Sequence, residues 1–142
     1  MTSQFAHFTA LAEPPEGRGV RWRPTTTRVT ILPKAQRALA QLADPDRFSA
    51  TYGLAYVART HPAYRGDLYW RGAAWPQLNH LARVGAHRWG AHDLADDIAE
   101  MSRRGAMASG FSELWDPETG EARGAVPQTW AALAAVPSAM LR

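Results

Sequence analysis

The 142-residue sequence has no cysteine, which excludes disulfide staples, thiolate metal sites and cysteine nucleophiles. Lysine is almost missing as well: Lys34 is the only one, and every other basic side chain apart from histidine is an arginine. The formal net charge is a modest +3, and a nucleic-acid partner would call for a continuous basic face. No apolar run approaches the ~18 residues of a membrane span. The N-terminus also lacks the basic stretch and apolar core of a secretory signal. These absences point to a cytoplasmic chain with neither nucleic acid nor membrane as partner.

What is present is globular in character. Hydrophobic residues make up 46% and charged residues 20%, enough to bury a core. Six tryptophans are a heavy load for one domain of this length. Residues 1–32 read as an irregular Arg/Pro-rich segment, punctuated by Pro14-Pro15-Glu16-Gly17. Arg18, Arg21, Arg23 and Arg28 gather around Trp22 there. Short basic runs are common, so a lead-in is preferred to an anion site. Residues 33–142 read as the domain itself.

Helical patterns dominate that domain. Pro33–Leu42 places Ala35, Ala38, Leu39 and Leu42 on one stripe, with Pro33 at the first helical position and Asp44-Pro45 as the stop. Phe48–Arg59 is irregular and aromatic, with a turn at Tyr52-Gly53-Leu54. Pro76–Trp89 carries Leu78, Leu81, Ala82 and Trp89 at helical spacing and ends at Gly90. Gly85 inside it allows a neighbouring helix to come close. Ala91–Met107 sets Leu94, Ala95, Ile98, Met101 and Ala108 against the acidic Asp93, Asp96, Asp97 and Glu100. Pro127–Leu141 reads as a fourth helix that Pro137 kinks or ends. The expected class is all-α with long aromatic-rich loops.

Two of those loops join planar apolar surfaces to charged groups. The first is Tyr69-Trp70-Arg71-Gly72-Ala73-Ala74-Trp75-Pro76. The second is Gly110-Phe111-Ser112-Glu113-Leu114-Trp115-Asp116-Pro117-Glu118-Thr119-Gly120. This combination suits a sugar, whose C–H face stacks on aromatics while a carboxylate acts at the bond to be broken. Glu113, between Phe111 and Trp115, could orient and deprotonate a water; it could equally be a surface glutamate beside a turn. Tyr69, Trp70 and Trp75 could be core or platform. Asp116, Glu118 and Glu121 surround a Pro117–Gly120 turn and read as turn chemistry, with Asp116 accepting from backbone N–H groups. His92 and Asp96, four apart, could share an ion, but with no third ligand they read as a solvated face. No metal or cofactor is implied.

The three motifs Tyr-Trp-Arg-Gly-x-x-Trp-Pro, Gly-Phe-x-Glu-x-x-Asp-Pro-x-Thr-Gly and Gln128-Thr129-Trp130, in this order, resemble the C-terminal part of glycoside hydrolase family 63 and its bacterial relatives. The similarity is nearest to the glucosylglycerate and mannosylglycerate hydrolases and covers roughly Leu42 to the end. It implies the last helix pairs of an (α/α)6 toroid and inverting hydrolysis. It also implies Glu113 as general base, Tyr69, Trp70 and Trp75 lining the sugar pocket, and Gln128 touching the ligand. Arg71 would pair with a carboxylate of the barrel wall, and Trp130 would serve packing. Ala73-Ala74, where the family often has Pro-Val, would loosen its loop. In such a toroid helices alternate inner and outer, so the loops entering the second and fourth helices emerge at one end and converge.

Twelve helices of ~10–14 residues each exceed this length. The family's general acid, an Asp in an upstream Trp-Asp-x-Ser motif, has no counterpart here. The expectation is therefore a C-terminal portion that carries the base and part of the pocket for a small glycoside or oligosaccharide. It would be inactive alone, and exposed apolar faces would drive it toward an upstream barrel segment or self-association. The alternative is a non-catalytic carbohydrate-binding or helical interaction module.

Overall fold

The computed structural model describes residues 27–137 and 140, with side chains from Pro33 onward. The arginine cluster up to Arg23 lies outside the described residues. In chain order the elements are α1 (Thr27–Ala43), β1 (Ser49–Ala50), β2 (Gly53–Leu54), α2 (Pro76–Arg88), α3 (His92–Ala108), β3 (Leu114–Trp115), β4 (Ala122–Arg123) and a 3-10 helix (Thr129–Ala135). Helix α1 begins at Thr27, so Pro33 lies inside it rather than at its first position. It ends where expected. The Asp44 carbonyl accepts from the N–H groups of Arg47, Phe48 and Ser49, while its carboxylate accepts from Asp46 N–H.

Helices α2 and α3 form an antiparallel pair around Gly90, whose φ of 78° is the left-handed conformation that glycine adopts at little cost. Pro76 occupies the start of α2 as its fixed φ favours. The buried face of α2 is not the leucine stripe, however. Asn79, Ala82, Arg83, Gly85 and Ala86 turn inward, and Leu81 stays exposed. Small side chains let the helices approach, and each polar one makes a hydrogen bond: Leu54 N–H donates to Asn79 Oδ1 at 3.2 Å, and Arg83 donates to the Val136 carbonyl. On α3 the buried residues are Ala95, Ile98, Met101, Ser102, Gly105 and Ala106, whereas Ala108, expected on that stripe, is exposed. The largest apolar cluster joins α1, the β1–β2 hairpin, α2 and α3 through Leu42, Phe48, Leu54, Ala86, Ile98 and Met101.

Two short antiparallel hairpins replace the irregular segments. Strand β1 pairs with β2 in the register Ser49↔Leu54, and β3 with β4 in the register Leu114↔Arg123. The fourth helix is shorter and tighter than expected. It is a 3-10 turn over Thr129–Ala135, and Val136 leaves it in extended conformation because the residue before a proline disfavours the helical region.

Trp115 on β3 is fully buried. Its indole N–H donates to the Tyr52 carbonyl of the first hairpin, and its ring lies against Gly105 of α3, where a Cβ would strike the indole. Alanine is a better helix former than glycine by ~1 kcal/mol, but here overpacking opposes it. Gly105→Ala should lower stability by a net ~1–3 kcal/mol, read as a lower urea midpoint with unchanged slope. A gain in stability would show that Trp115 does not sit against α3.

Candidate active site

The two aromatic loops converge through backbone hydrogen bonds. Ala74 N–H donates to the Trp115 carbonyl at 2.8 Å, and Trp115 N–H donates to the Ala74 carbonyl at 3.1 Å. Ala73 and Ala74 are both fully buried. The pair expected to loosen its loop is instead the point where the two motifs are joined.

The first loop folds back on itself before it reaches this bridge. Arg65 N–H donates to the Arg71 carbonyl at 2.7 Å. Gly72 is needed for the approach, because a Cβ there would come within 2.9 Å of Arg65 backbone atoms and 2.8 Å of the Tyr64 ring. The turn so closed presents Tyr69 and Trp70 outward, 45% and 53% exposed, while Trp75 is 1% exposed. The Trp70 ring stacks on Trp75 at 4.1 Å with an interplanar angle of 6°. Tyr69 meets both rings edge-on, and Trp75 Nε1–H donates to the Tyr69 carbonyl at 3.1 Å. Trp75 therefore lies beneath the surface as backing, and Trp70 forms the outer face. Each aromatic pair adds ~0.5–1.5 kcal/mol beyond its buried area.

The second loop leaves α3 through two consecutive residues in the left-handed region, Gly110 (φ 67°) and Phe111 (φ 59°). Phe111 has a side chain and so bears the strain that glycine avoids. The chain then alternates: Ser112 and Leu114 are buried, and Glu113 between them points to the half-exposed side, as strand geometry requires. Trp115 departs from that alternation and is buried against α3. Glu113 Oε1 accepts from the Tyr69 hydroxyl, and Oε2 accepts from Ala125 N–H at 3.2 Å. The Asp116 carboxylate accepts from the N–H groups of Glu118 and Thr119 at 2.9 and 3.0 Å, so it holds the turn.

The structure thus brings Tyr69, Trp70, Trp75 and Glu113 together. Gln128 reaches the same loop through its backbone, donating to the Phe111 carbonyl at 2.8 Å, while its side-chain oxygen caps the 3-10 helix at Thr129 N–H. Arg71 is exposed and has no carboxylate partner among the described residues. Two members escape sequence reasoning. Trp130 donates its indole N–H to the Glu113 carbonyl at 3.0 Å and meets Trp75 edge-on at 6.2 Å. Tyr56 meets Trp70 at 5.6 Å. The Gln128-Thr129-Trp130 motif carries the signal for Trp130, although the ring by itself reads only as packing.

Tyr69 is held above the ordinary phenol range, first by its hydrogen bond to Glu113, then by burial and by the carboxylate charge. Its proton is thus bound more tightly in the folded state. The stabilisation is complete below the ordinary value of ~10 and is lost as pH rises through the raised one. Glu113→Gln should move one tyrosine titration step to lower pH in ultraviolet difference spectra. It should also remove the part of the native chain's alkaline stability loss that this pair causes. An unchanged titration would separate the two side chains.

The family model described as the mannosylglycerate hydrolase MGH1-like glycoside hydrolase domain matches residues 22–131. The match begins well before Leu42. The glucosylglycerate hydrolase of Mycolicibacterium hassiacum is 31% identical over 140 residues, covering 89% of this chain and 30% of that protein. A mannosylglycerate hydrolase of Thermus thermophilus is 35% identical over 103 residues, covering 69% and 24%. Among solved structures, a family 63 mannosylglycerate hydrolase from Thermus thermophilus with Tris and D-glycerate superimposes with a TM-score of 0.65. It is 32% identical and covers 73% of this chain and 25% of that one. The same enzyme with glucose gives a TM-score of 0.59 at 28% identity, with coverage of 79% and 27%. The chain spans less than a third of the length of these relatives, so its helices are part of an (α/α)6 toroid. The chain belongs to the mannosylglycerate hydrolase MGH1-like glycoside hydrolase family.

Proposed function

We propose that this chain supplies the general base and part of the sugar pocket for inverting hydrolysis of a small α-glycoside of the glucosylglycerate or mannosylglycerate type. The observation that carries this reading is the Tyr69–Glu113 contact. It ties a half-exposed carboxylate to the edge of a stacked tryptophan platform, across two loops from distant parts of the sequence. Glu113 takes a proton from the attacking water. The exposed face of Trp70 stacks on the sugar, with Trp75 behind it and Tyr69 at its edge. Gln128 has its side-chain oxygen engaged at Thr129 and offers its NH2 group to a ligand oxygen. The relatives solved with glucose and with D-glycerate support a small polyhydroxylated ligand of this kind.

Inverting hydrolysis needs a second carboxyl group ~6.5–9.5 Å from the first, protonated to release the leaving group. Asp67 lies near in sequence to the platform and is the residue to weigh. Arg65 donates to both of its oxygens, at 3.2 and 3.1 Å. That pairing holds the Asp67 carboxyl below its ordinary range, the opposite of what a general acid needs. On this reading the acid is supplied by a segment that completes the toroid. Alone, the chain binds sugar weakly and turns nothing over. Exposed Leu81 and Met107 on α2 and α3 lie on the helices that such a segment, or a second copy, would cover.

The test joins the chain to a matching upstream barrel segment in one gene. Glu113→Gln should cut the rate by ~10²–10⁴-fold, the usual worth of a general base, with KM little changed. Trp70→Ala should raise KM first. The unjoined chain should show no turnover with or without either change. A joined enzyme indifferent to Glu113→Gln would return Glu113 to a structural role. Sugar binding without turnover in the joined protein would favour a carbohydrate-binding module.

A further inference from the structure

We propose that Gly124 and Trp130 are positioning residues that fix the Glu113 carboxylate in one orientation, Gly124 by lacking a side chain and Trp130 by clamping the main chain behind it. The proposal rests on the reading of Glu113 as the base, and deepens it by assigning what aims that base.

Glu113 is held from both ends. Its N–H donates to the Ala125 carbonyl at 2.7 Å, and its own carbonyl accepts from Trp130 Nε1–H at 3.0 Å. An indole N–H can only donate, so this bond has one direction and one partner. At the far end of the side chain, Ala125 N–H donates to Oε2 at 3.2 Å. Residue 125 therefore grips both the backbone and the carboxylate of Glu113, and it reaches the carboxylate across Gly124.

Gly124 permits that reach. The register Leu114↔Arg123 sets residue 124 opposite Glu113. Its φ is +71°, and an L-side-chain Cβ there would collide with Glu113 Oε2, at 3.0 Å from Glu113 Cβ and 2.9 Å from Leu114 Cδ2. The severest of these contacts is with the far end of the Glu113 side chain, which is free to swing, whereas Leu114 is fully buried; the carboxylate is therefore the group most displaced. The neighbouring Arg123 reaches Asp116 across the hairpin at 3.5 Å, which ties this strand to the segment that carries Glu113. Trp130 also meets Trp75, so the group that clamps the base rests on the backing of the platform.

The conformational demand at residue 124 and the collision with Glu113 are separable. A D-residue accepts positive φ, and its methyl replaces the other α-hydrogen rather than occupying the position that meets Glu113 Oε2. The chain has no native cysteine, so a synthetic peptide from residue 122 onward can be ligated at Ala122 through a temporary cysteine and desulfurised. The readout, on the full 142-residue chain, is the 13C order parameter of the Glu113 γ-methylene, assigned by its loss in Glu113→Gln. The native value should match rigid backbone at ~0.85. Gly124→Ala should drop it below ~0.6 while the Leu114 methyls stay ordered, and Gly124→D-Ala should restore it. Trp130→Phe keeps an aromatic ring and removes the donor. It should speed exchange of the Glu113 amide and lower its side-chain order even if Gly124→Ala does not fold.

A native Glu113 already mobile, or one equally ordered in Gly124→Ala and Trp130→Phe, overturns the proposal, as does a D-residue that loosens Glu113 as much as the L-residue. None of these readouts uses turnover. An ordered Glu113 in a joined enzyme indifferent to Glu113→Gln would defeat the catalytic reading alone, and a mobile Glu113 in an enzyme that needs it would defeat the positioning alone.

Discussion

Two backbone hydrogen bonds between Ala74 and Trp115 set the geometry on which the rest of the site depends. Side chains alternate across an extended strand, so a shift of one residue exchanges the two faces. With Trp115 opposite Ala74, Leu114 and Ser112 point into the core and Glu113 points out. A slip by one would bury the carboxylate and expose Leu114. The register is protected by what surrounds it. The Trp115 indole occupies the space left by Gly105 and donates to Tyr52. Gly53 lets the first hairpin lie against Ala74, 3.2 Å from where its Cβ would be. Larger residues at 53 or 105 would push the bridge apart. The small side chains are thus the means by which the two motif loops meet.

Trp75 links this bridge to the platform. It is buried with Ala73 and Leu114, yet it touches Trp70, Tyr69 and Trp130, which come from two separate segments. Its indole N–H, a costly group to bury unpaired, is satisfied by the Tyr69 carbonyl, and this bond fixes the path of the first loop. Stacking surface and carboxylate are therefore not independent modules. Moving Trp75 would move Trp70 directly and would move Glu113 through Trp130 and Tyr69.

The legible part of this architecture is carried by punctuation and periodicity. Pro76 and Gly90 bound α2, Asp44-Pro45 ends α1, and the alternation around Glu113 turns it outward. Within the toroid that the family resemblance implies, the order of loops and helices leads one to expect the convergence that the Ala74–Trp115 bridge realises. What escapes is decided by partners that no local pattern encodes. Leu81 fits the apolar stripe of α2, but Asn79 and Arg83 claim the inner face because Leu54 N–H and the Val136 carbonyl await them. Pro33 reads as a helix start, yet α1 begins at Thr27. The Ala-rich C-terminal stretch has the propensity for an α-helix, but Val136-Pro137 leaves it only a 3-10 turn. Trp130 reads as packing because a tryptophan in sequence shows its ring, not the acceptor its N–H will find.

The same distinction bears on what this portion of a toroid can do. A general base must accept a proton, and the two oxygens of Glu113 face two donors, the Tyr69 hydroxyl and the Ala125 N–H. A general acid must hold a proton, which requires an environment poor in donors and cations. Among the described residues, three carboxylates of these loops each face an arginine. Asp67 is paired with Arg65, Glu118 with Arg59, and Asp116 with Arg123 and two backbone N–H groups. All three are acceptors already committed to holding loops in place. On the proposed reading, the two halves of the reaction are divided along the chain. On that reading Glu113 faces a hydroxyl and a backbone N–H, while Asp67, Glu118 and Asp116 are engaged by arginines.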